Sequence, residues 1–190
     1  MPKSVAVLFA RKDSIYKKMP ECDVWDQVRD ATKYAGNLPV VAHPPCRLWG
    51  KLAHMSTAPK SEMELARFSV RQVQRVGGVL EHPEGSRLWK EMGLPQQWEE
   101  DSLGFTLKVP QSWWRHRAAK MTLLYVSGMR MEDIPRVPLI QIIFNQPTAL
   151  IATSRRGLSG KFCTQEEREA TPEEFAQWLV AVAKICRKIK

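Results

Sequence analysis

Apolar and polar residues fall in blocks along this chain, and the length and period of each block predict an element. SVAVLFA, Ser4 to Ala10, is β-branched and apolar with charge on both sides, which predicts a buried strand. The polar stretch RKDSIYKKMPEC follows. CDVWDQVRDATKYAG then predicts a short helix, with Asp23 as its candidate cap and Gly36 as its stop. LPVVAHPP predicts a second buried strand. Pro44 and Pro45 end it, because proline cannot continue a central ladder. SEMELARFSVRQVQRVGG predicts the clearest helix. Ser61 and Glu64 have capping-box spacing, Leu65, Phe68, Val73 and Val76 fall roughly on one face, and Gly77 or Gly78 stops it. GGVLEHP, from Gly77, predicts a third strand that again ends in proline. Strands apolar throughout, alternating with helical stretches, predict a mostly parallel α/β sheet. Polar residues gather just after the strand ends, where open α/β folds bind ligands.

From Gly104 the pattern changes. FTLKVPQ and KMTLLYVSG predict strands on either side of the polar stretch SWWRHRAA, and PLIQIIFN predicts one more strand. SRRGLSGKFCTQEERE predicts a basic, mobile loop within 151–170. TPEEFAQWLVAVAKICRKIK predicts an amphipathic closing helix over 171–190, capped by Thr171 with Pro172 at its first position. The expected organisation is one α/β domain over 1–190, with its sheet core in 1–150.

Composition narrows the partners. Among 190 residues, 44% are hydrophobic and 26% charged, an ordinary globular balance for a chain long enough to bury a core without disulfides. The four cysteines show no CxxC pair and no regular spacing, which fits reduced thiols in a cytoplasmic protein. The opening apolar stretch is too short for a signal peptide, and no stretch has the length of a membrane span. A net charge of +9 favours polyanions, with nucleic acid the commonest. Several of the seven tryptophans sit beside cations: Trp49 near Arg47 and Lys51, Trp89 near Arg87 and Lys90, Trp113 and Trp114 near Arg115. Such pairs can stack bases and hold phosphates, although each tryptophan alone equally fits core packing.

Three places carry candidate chemistry. Cys46 follows Pro45 in a stiff loop at a strand end, as a nucleophile or as turn packing. Glu81 ends an apolar strand, where partial desolvation can tune a carboxyl for proton transfer and an arginine partner would neutralise it. Arg115 and Arg117 alternate, so on an extended segment they share one face and can hold a carbonyl oxygen or a phosphate. His43 and Cys46 give an HxxC spacing, with His54 and His82 elsewhere, but no further ligand pair completes a zinc set, and no metal is expected. GGVLEHPEG fits neither a dinucleotide nor a P-loop pattern.

In this order the three places resemble the cytosine-C5 DNA methyltransferases. That family carries a Pro-Cys loop after a strand, then Glu-Asn-Val at a strand end, then Gln-x-Arg-x-Arg leading into a strand that ends in Val-Gly. Here Pro45-Cys46 is followed by Glu81-His82-Pro83, then by Gln111, Arg115-His116-Arg117 and LLYVSG. The likeness covers about residues 38 to 128, REATPEEF faintly resembles a later family stretch, and the whole looks like small proteins of bacterial viruses. The resemblance implies a compact Rossmann-like methyltransferase-type sheet with an antiparallel edge, truncated at the cofactor half. It implies that Cys46 attacks C6 of a flipped cytosine, that Glu81 binds N3 and the amino group and offers a proton, and that Arg117 or Arg115 holds O2. Pro45, Arg47, Trp49, Gln111 and Trp113 would line the base site, with Trp49 or Trp113 stacking on the base. S-adenosylmethionine would lie near Phe9, Ser14, Asp23 and Asp26.

The chain departs from that pattern where the cofactor binds. VLFARKDSIY holds none of the family's glycines, which let backbone approach a cofactor closely, and residues 11 to 37 leave room for little more than one helix. The family's Gly-Pro-Pro-Cys is here His43-Pro-Pro-Cys. Two functions follow. One is an enzyme modifying a pyrimidine in DNA or in a free nucleotide. The other is a non-catalytic basic module that binds nucleic acid or a nucleotide. The trio Cys46, Glu81 and Arg117 favours the first, and the missing glycines favour the second.

Overall fold

The computed structural model describes residues 2–151 and 159–187. Six strands form one sheet: β1 (Val5–Ala10), β2 (Cys22–Asp26), β3 (Val40–Ala42), β4 (Gly78–Pro83), β5 (Phe105–Pro110) and β6 (Met121–Ser127). Their order is β2-β1-β3-β4-β6-β5. The first four are parallel, and β6 runs antiparallel to both β4 and β5. The mostly parallel α/β sheet with an antiparallel edge is therefore present, in an arrangement compatible with a Rossmann-like fold.

Alternation along each strand sorts side chains onto two faces. Val5, Val7, Val79, Leu124 and Val126 pack with Phe175, Leu179 and Val182 of α5 (Glu173–Ile185). Ala6, Leu8, Leu80 and Tyr125 pack with Ala66, Val70 and Val73 of α1 (Met63–Val76) and with Leu88 and Trp89 of α2 (Leu88–Met92). Helices thus cover both faces, as strands without a solvated side require. Gly78 is needed where β4 starts: its φ is +135°, and a Cβ there would lie 2.0 Å from the Val40 carbonyl oxygen.

Several expected elements differ. CDVWD is a strand, not the start of a helix, and Asp23 caps nothing helical. Val24 and Trp25 point to opposite faces, and β1 offers them a free parallel edge. The connection from β1 to β2 holds only a one-turn 3-10 helix, Ile15–Lys18. PLIQIIF is the helix α3 (Leu139–Phe144), started after Pro138, not a strand; a short apolar run carries no period that separates the two. Ser61 makes no capping bond, because a 3-10 turn over Lys60–Glu62 precedes α1. The closing helix has Pro172, not Thr171, at its N-cap. Of the expected mobile loop, residues 152–158 lie outside the described residues, and the rest includes α4 (Gln165–Glu169), held by a Thr164–Glu167 capping box.

Candidate functional site at the carboxyl edge of the sheet

The chain leaves β1 toward β2 on one side, while β3 and β4 stand on the other. A reversal of this kind opens a crevice at the carboxyl ends of the strands. β5 runs parallel to β4, so its end and the start of β6 reach the same edge. Cys46, Glu81, Gln111 and Lys120 meet there from four separate stretches of sequence.

A hydrogen-bonded chain forms the floor. Glu81 leaves β4 on the α5 face, and its Oε2 lies 3.1 Å from His43 Nδ1. The Tyr16 hydroxyl lies 2.9 Å from His43 Nε2. Gln111 Nε2 donates to Glu81 Oε1 at 3.1 Å and to the Thr122 hydroxyl at 2.9 Å. Side-chain exposure is 13% for His43 and 16% for Glu81, and Tyr16 is buried. Burial alone would raise the Glu81 carboxyl, but the His43 hydrogen bond and the nearby charge of Lys120 outweigh it and bring the group down to about 2. Glu81 is therefore ionised at neutral pH and accepts only, so His43 Nδ1 carries the proton between them. Burial, with the Glu81 charge, lifts the Tyr16 hydroxyl well above its ordinary value, so it stays neutral.

Cys46 stands at the mouth of this edge. Its carbonyl accepts from the Trp49 and Gly50 amides at 2.9 and 3.0 Å, closing the turn after Pro45. It is the one exposed cysteine among the four; Cys22, Cys163 and Cys186 are buried. Open to solvent on one side and walled by protein on the other, its thiol is pushed up to about 11 by desolvation and by the Glu81 charge, against the pull of Lys120. Lys120, in a left-handed conformation at φ +42°, donates to the Ala170 carbonyl at 3.0 Å. Burial lowers its ammonium while Glu81 and Cys46 hold it up. Sequence reading missed Lys120, Tyr16 and His43 in their shared role. The HPPC spacing hinted at His43, but nothing local marks the other two.

The other expected residues are placed as follows. Pro45 is half-buried beside Cys46, and Arg47 is exposed, with Nε donating to Glu62 Oε1 at 2.7 Å. Trp49 is fully buried against the α1 face and cannot stack on a base, which corrects that expectation. Its place in the core follows from the turn that folds it under α1, where Arg67 lies 5.3 Å over its ring. Trp113 is half-buried against the α5 core, and its carbonyl accepts from Asn145 Nδ2 at 2.9 Å. Arg115 and Arg117 do not share the face of an extended segment, because Arg115 is a left-handed cap ending a 3-10 turn. Arg115 pairs with Glu174 at 3.3 Å, and Arg117 pairs with Glu167. The cation that bears on both Glu81 and Cys46 is Lys120.

On the β1–β2 side, Phe9 takes φ +59° at a register shift in β1, which turns its ring onto Phe68 of α1 at 6.2 Å. Asp23 accepts from Trp25 Nε1 at 2.8 Å and pairs with Arg29. Asp26 pairs with Lys17 at 2.6 Å and accepts the Val28 and Arg29 amides. Ser14 precedes the 3-10 turn without a side-chain capping bond. With both carboxylates engaged and Phe9 committed to packing, these residues do not fit S-adenosylmethionine in the manner the resemblance implies. Among the described residues no group of three or more histidine, cysteine or acidic side chains is placed to hold a metal ion, and no helix is long and apolar enough to cross a membrane. Surface hollows of about 490 and 540 Å³ lie away from this edge, one beside α5 and one by Gly104 and Gly128. Comparison with family models, curated proteins and solved structures finds no match to this chain.

Proposed function

We propose that this chain is an enzyme that modifies a pyrimidine base of nucleic acid through covalent addition of Cys46. The observation that carries the reading is the meeting of an exposed thiol with a buried, ionised carboxylate at the carboxyl edge of a parallel sheet, from positions 35 residues apart in sequence. The resemblance to cytosine-C5 methyltransferases supplies the substrate class, and the net charge of +9 supports a polyanion. An extruded base would lie against Cys46, as chemistry on a stacked base requires. The thiol gives up its proton to solvent and its sulfur bonds to C6. The C5=C6 electron pair moves to C5, which bonds to the electrophilic carbon of a one-carbon donor as the donor's leaving group departs with its bonding pair. Loss of the C5 proton to solvent and of sulfur as thiolate restores the C5=C6 bond. Glu81 accepts a hydrogen bond from the exocyclic amino group. Lys120, and not Arg115 or Arg117, is the cation beside Cys46 and Glu81, and its charge favours the thiolate. No step is routed through S-adenosylmethionine.

A duplex carrying 5-fluorocytosine, incubated with and without S-adenosylmethionine, tests this. A Cys46-linked adduct by mass, lost in Cys46→Ala, supports the enzyme. The second reading is a non-catalytic nucleic-acid-binding module, favoured by the upward shift of the thiol to about 11. Absence of adduct in both conditions, with salt-dependent DNA binding unchanged in Cys46→Ala, establishes the module and ends the enzyme reading.

A further inference from the structure

His43 is where this chain departs most sharply from a Gly-Pro-Pro-Cys loop, and it stands between two buried partners. Its Nδ1 meets Glu81 at 3.1 Å and its Nε2 meets Tyr16 at 2.9 Å. The Tyr16 hydroxyl serves both states of the ring: it donates to a neutral imidazole and accepts from a charged one. The ring can therefore gain a proton without losing a partner or moving. Gln111 holds the other carboxylate oxygen at 3.1 Å, so Glu81 cannot swing away. A pair built to hold one more proton in place sets the charge that reaches the exposed Cys46 thiol.

We propose that Tyr16, His43 and Glu81 form a proton-holding switch for Cys46, with His43 and Tyr16 as positioning residues. With His43 neutral, the carboxylate's charge keeps the thiol protonated. When the pair takes up a proton, or a ligand presents an N–H donor edge to Glu81, that charge is cancelled and Lys120 favours the thiolate. The groups that face the switch are Lys120 before β6, Cys46 after β3 and Cys22 of β2, which bears on Tyr16; His82, on the other face of β4, acts on Glu81 only through its charge. Glu169 of α4 bears on Cys46 and Lys120, and Arg11 on Lys120. The switch rests on the proposed function only for the place where a base would bind.

Iodoacetamide labelling of Cys46 in the free protein, followed by peptide mass against pH, tests it. The thiol proton leaves to solvent, and the S–C bond forms as iodide departs. Glu81→Gln, which keeps the size of the side chain and removes its charge, is expected to label about tenfold faster near pH 8, as for one unit of thiol pKa. On lowering the pH, the wild-type rate falls by less than tenfold per unit where the pair takes its proton. His43→Asn, which cannot store that proton, falls by the full tenfold. Should Glu81→Gln not fold, Lys120→Gln reads the same field with opposite sign and labels more slowly. Identical pH profiles for the wild type and every folded variant overturn the switch. Because no nucleic acid is present, such a result leaves the base-modifying reading standing, and a failed adduct leaves the switch standing.

Discussion

Two stretches of the sheet hold carboxylates in opposite ways. On β2, Asp23 near the start of the strand and Asp26 at its end each pair with a full cation: Arg29 for one, Lys17 for the other. At the end of β4, Glu81 is held instead by a histidine and an amide, and the charges of Lys120 and of the Cys46 thiolate bear on the same group of residues. The first arrangement spends its charges on local structure and leaves little for a ligand. The second keeps a charge whose field reaches an exposed nucleophile. Among the described residues, the β3–β4 side thus offers a charge beside an exposed thiol, and the β2 side has both its carboxylates paired with cations.

The comparison breaks most visibly if Cys46→Ala still forms the 5-fluorocytosine adduct; the account expects complete loss by mass. Next in size is His43→Ala, which leaves a buried carboxylate without its main donor. Urea unfolding is expected to show a loss on the order of 3 kcal/mol. An effect below 1 kcal/mol would mean that Glu81 is as well solvated as Asp23.

A similar magnitude comes from pH. His82, on the opposite face from Glu81, is buried with its Nδ1 2.7 Å from the Ser86 hydroxyl, and burial lowers it from 6.5 to about 4. The unfolded chain therefore binds a proton there before the folded one does. Its contribution is complete above pH 6.5, is lost between pH 6.5 and 4, and amounts to about 3 kcal/mol. His82→Gln should flatten that part of the stability curve. Glu81, lowered from 4.5 to about 2, adds a separate loss between those values as the pH falls.

Asp23→Asn should cost less than about 1 kcal/mol, since its Arg29 partner is half in water. The smallest effect is expected on α3, where Ile140 and Ile143 are 63% and 54% exposed. Ile143→Asn should leave the melting curve within about 0.5 kcal/mol.

The sheet was legible in the sequence wherever strands are apolar on both faces, as in β1, β3, β4 and β6, or alternate cleanly, as in β5. β2 was not, because five residues on a sheet edge take their conformation from β1 and not from their own period. α3 was misread because three isoleucines favour strand in isolation, while in the structure the run joins no strand of the sheet. At the site, Cys46 and Glu81 stood out because prolines and apolar runs frame them. Tyr16 and Lys120 lie in polar connections whose meeting depends on the crossover from β1 to β2 and on the β5–β6 hairpin. That placement is tertiary, and no local spacing encodes it. Trp49 was misassigned for the converse reason, because flanking cations look alike whether the ring is buried or free.

The central claim is that Cys46 adds to C6 of a pyrimidine, and exchange at C5 tests it without any donor. Reversible addition makes C5 take a deuteron from heavy water, and elimination returns the base with its C5 hydrogen replaced. Single-stranded DNA, duplex DNA and deoxycytidine monophosphate would be incubated with the protein in heavy water, and their cytosines read by mass. Deuterium at C5 in at least one of them, absent with Cys46→Ala, is the predicted result. Bound substrate with no C5 exchange in any of the three would contradict the account.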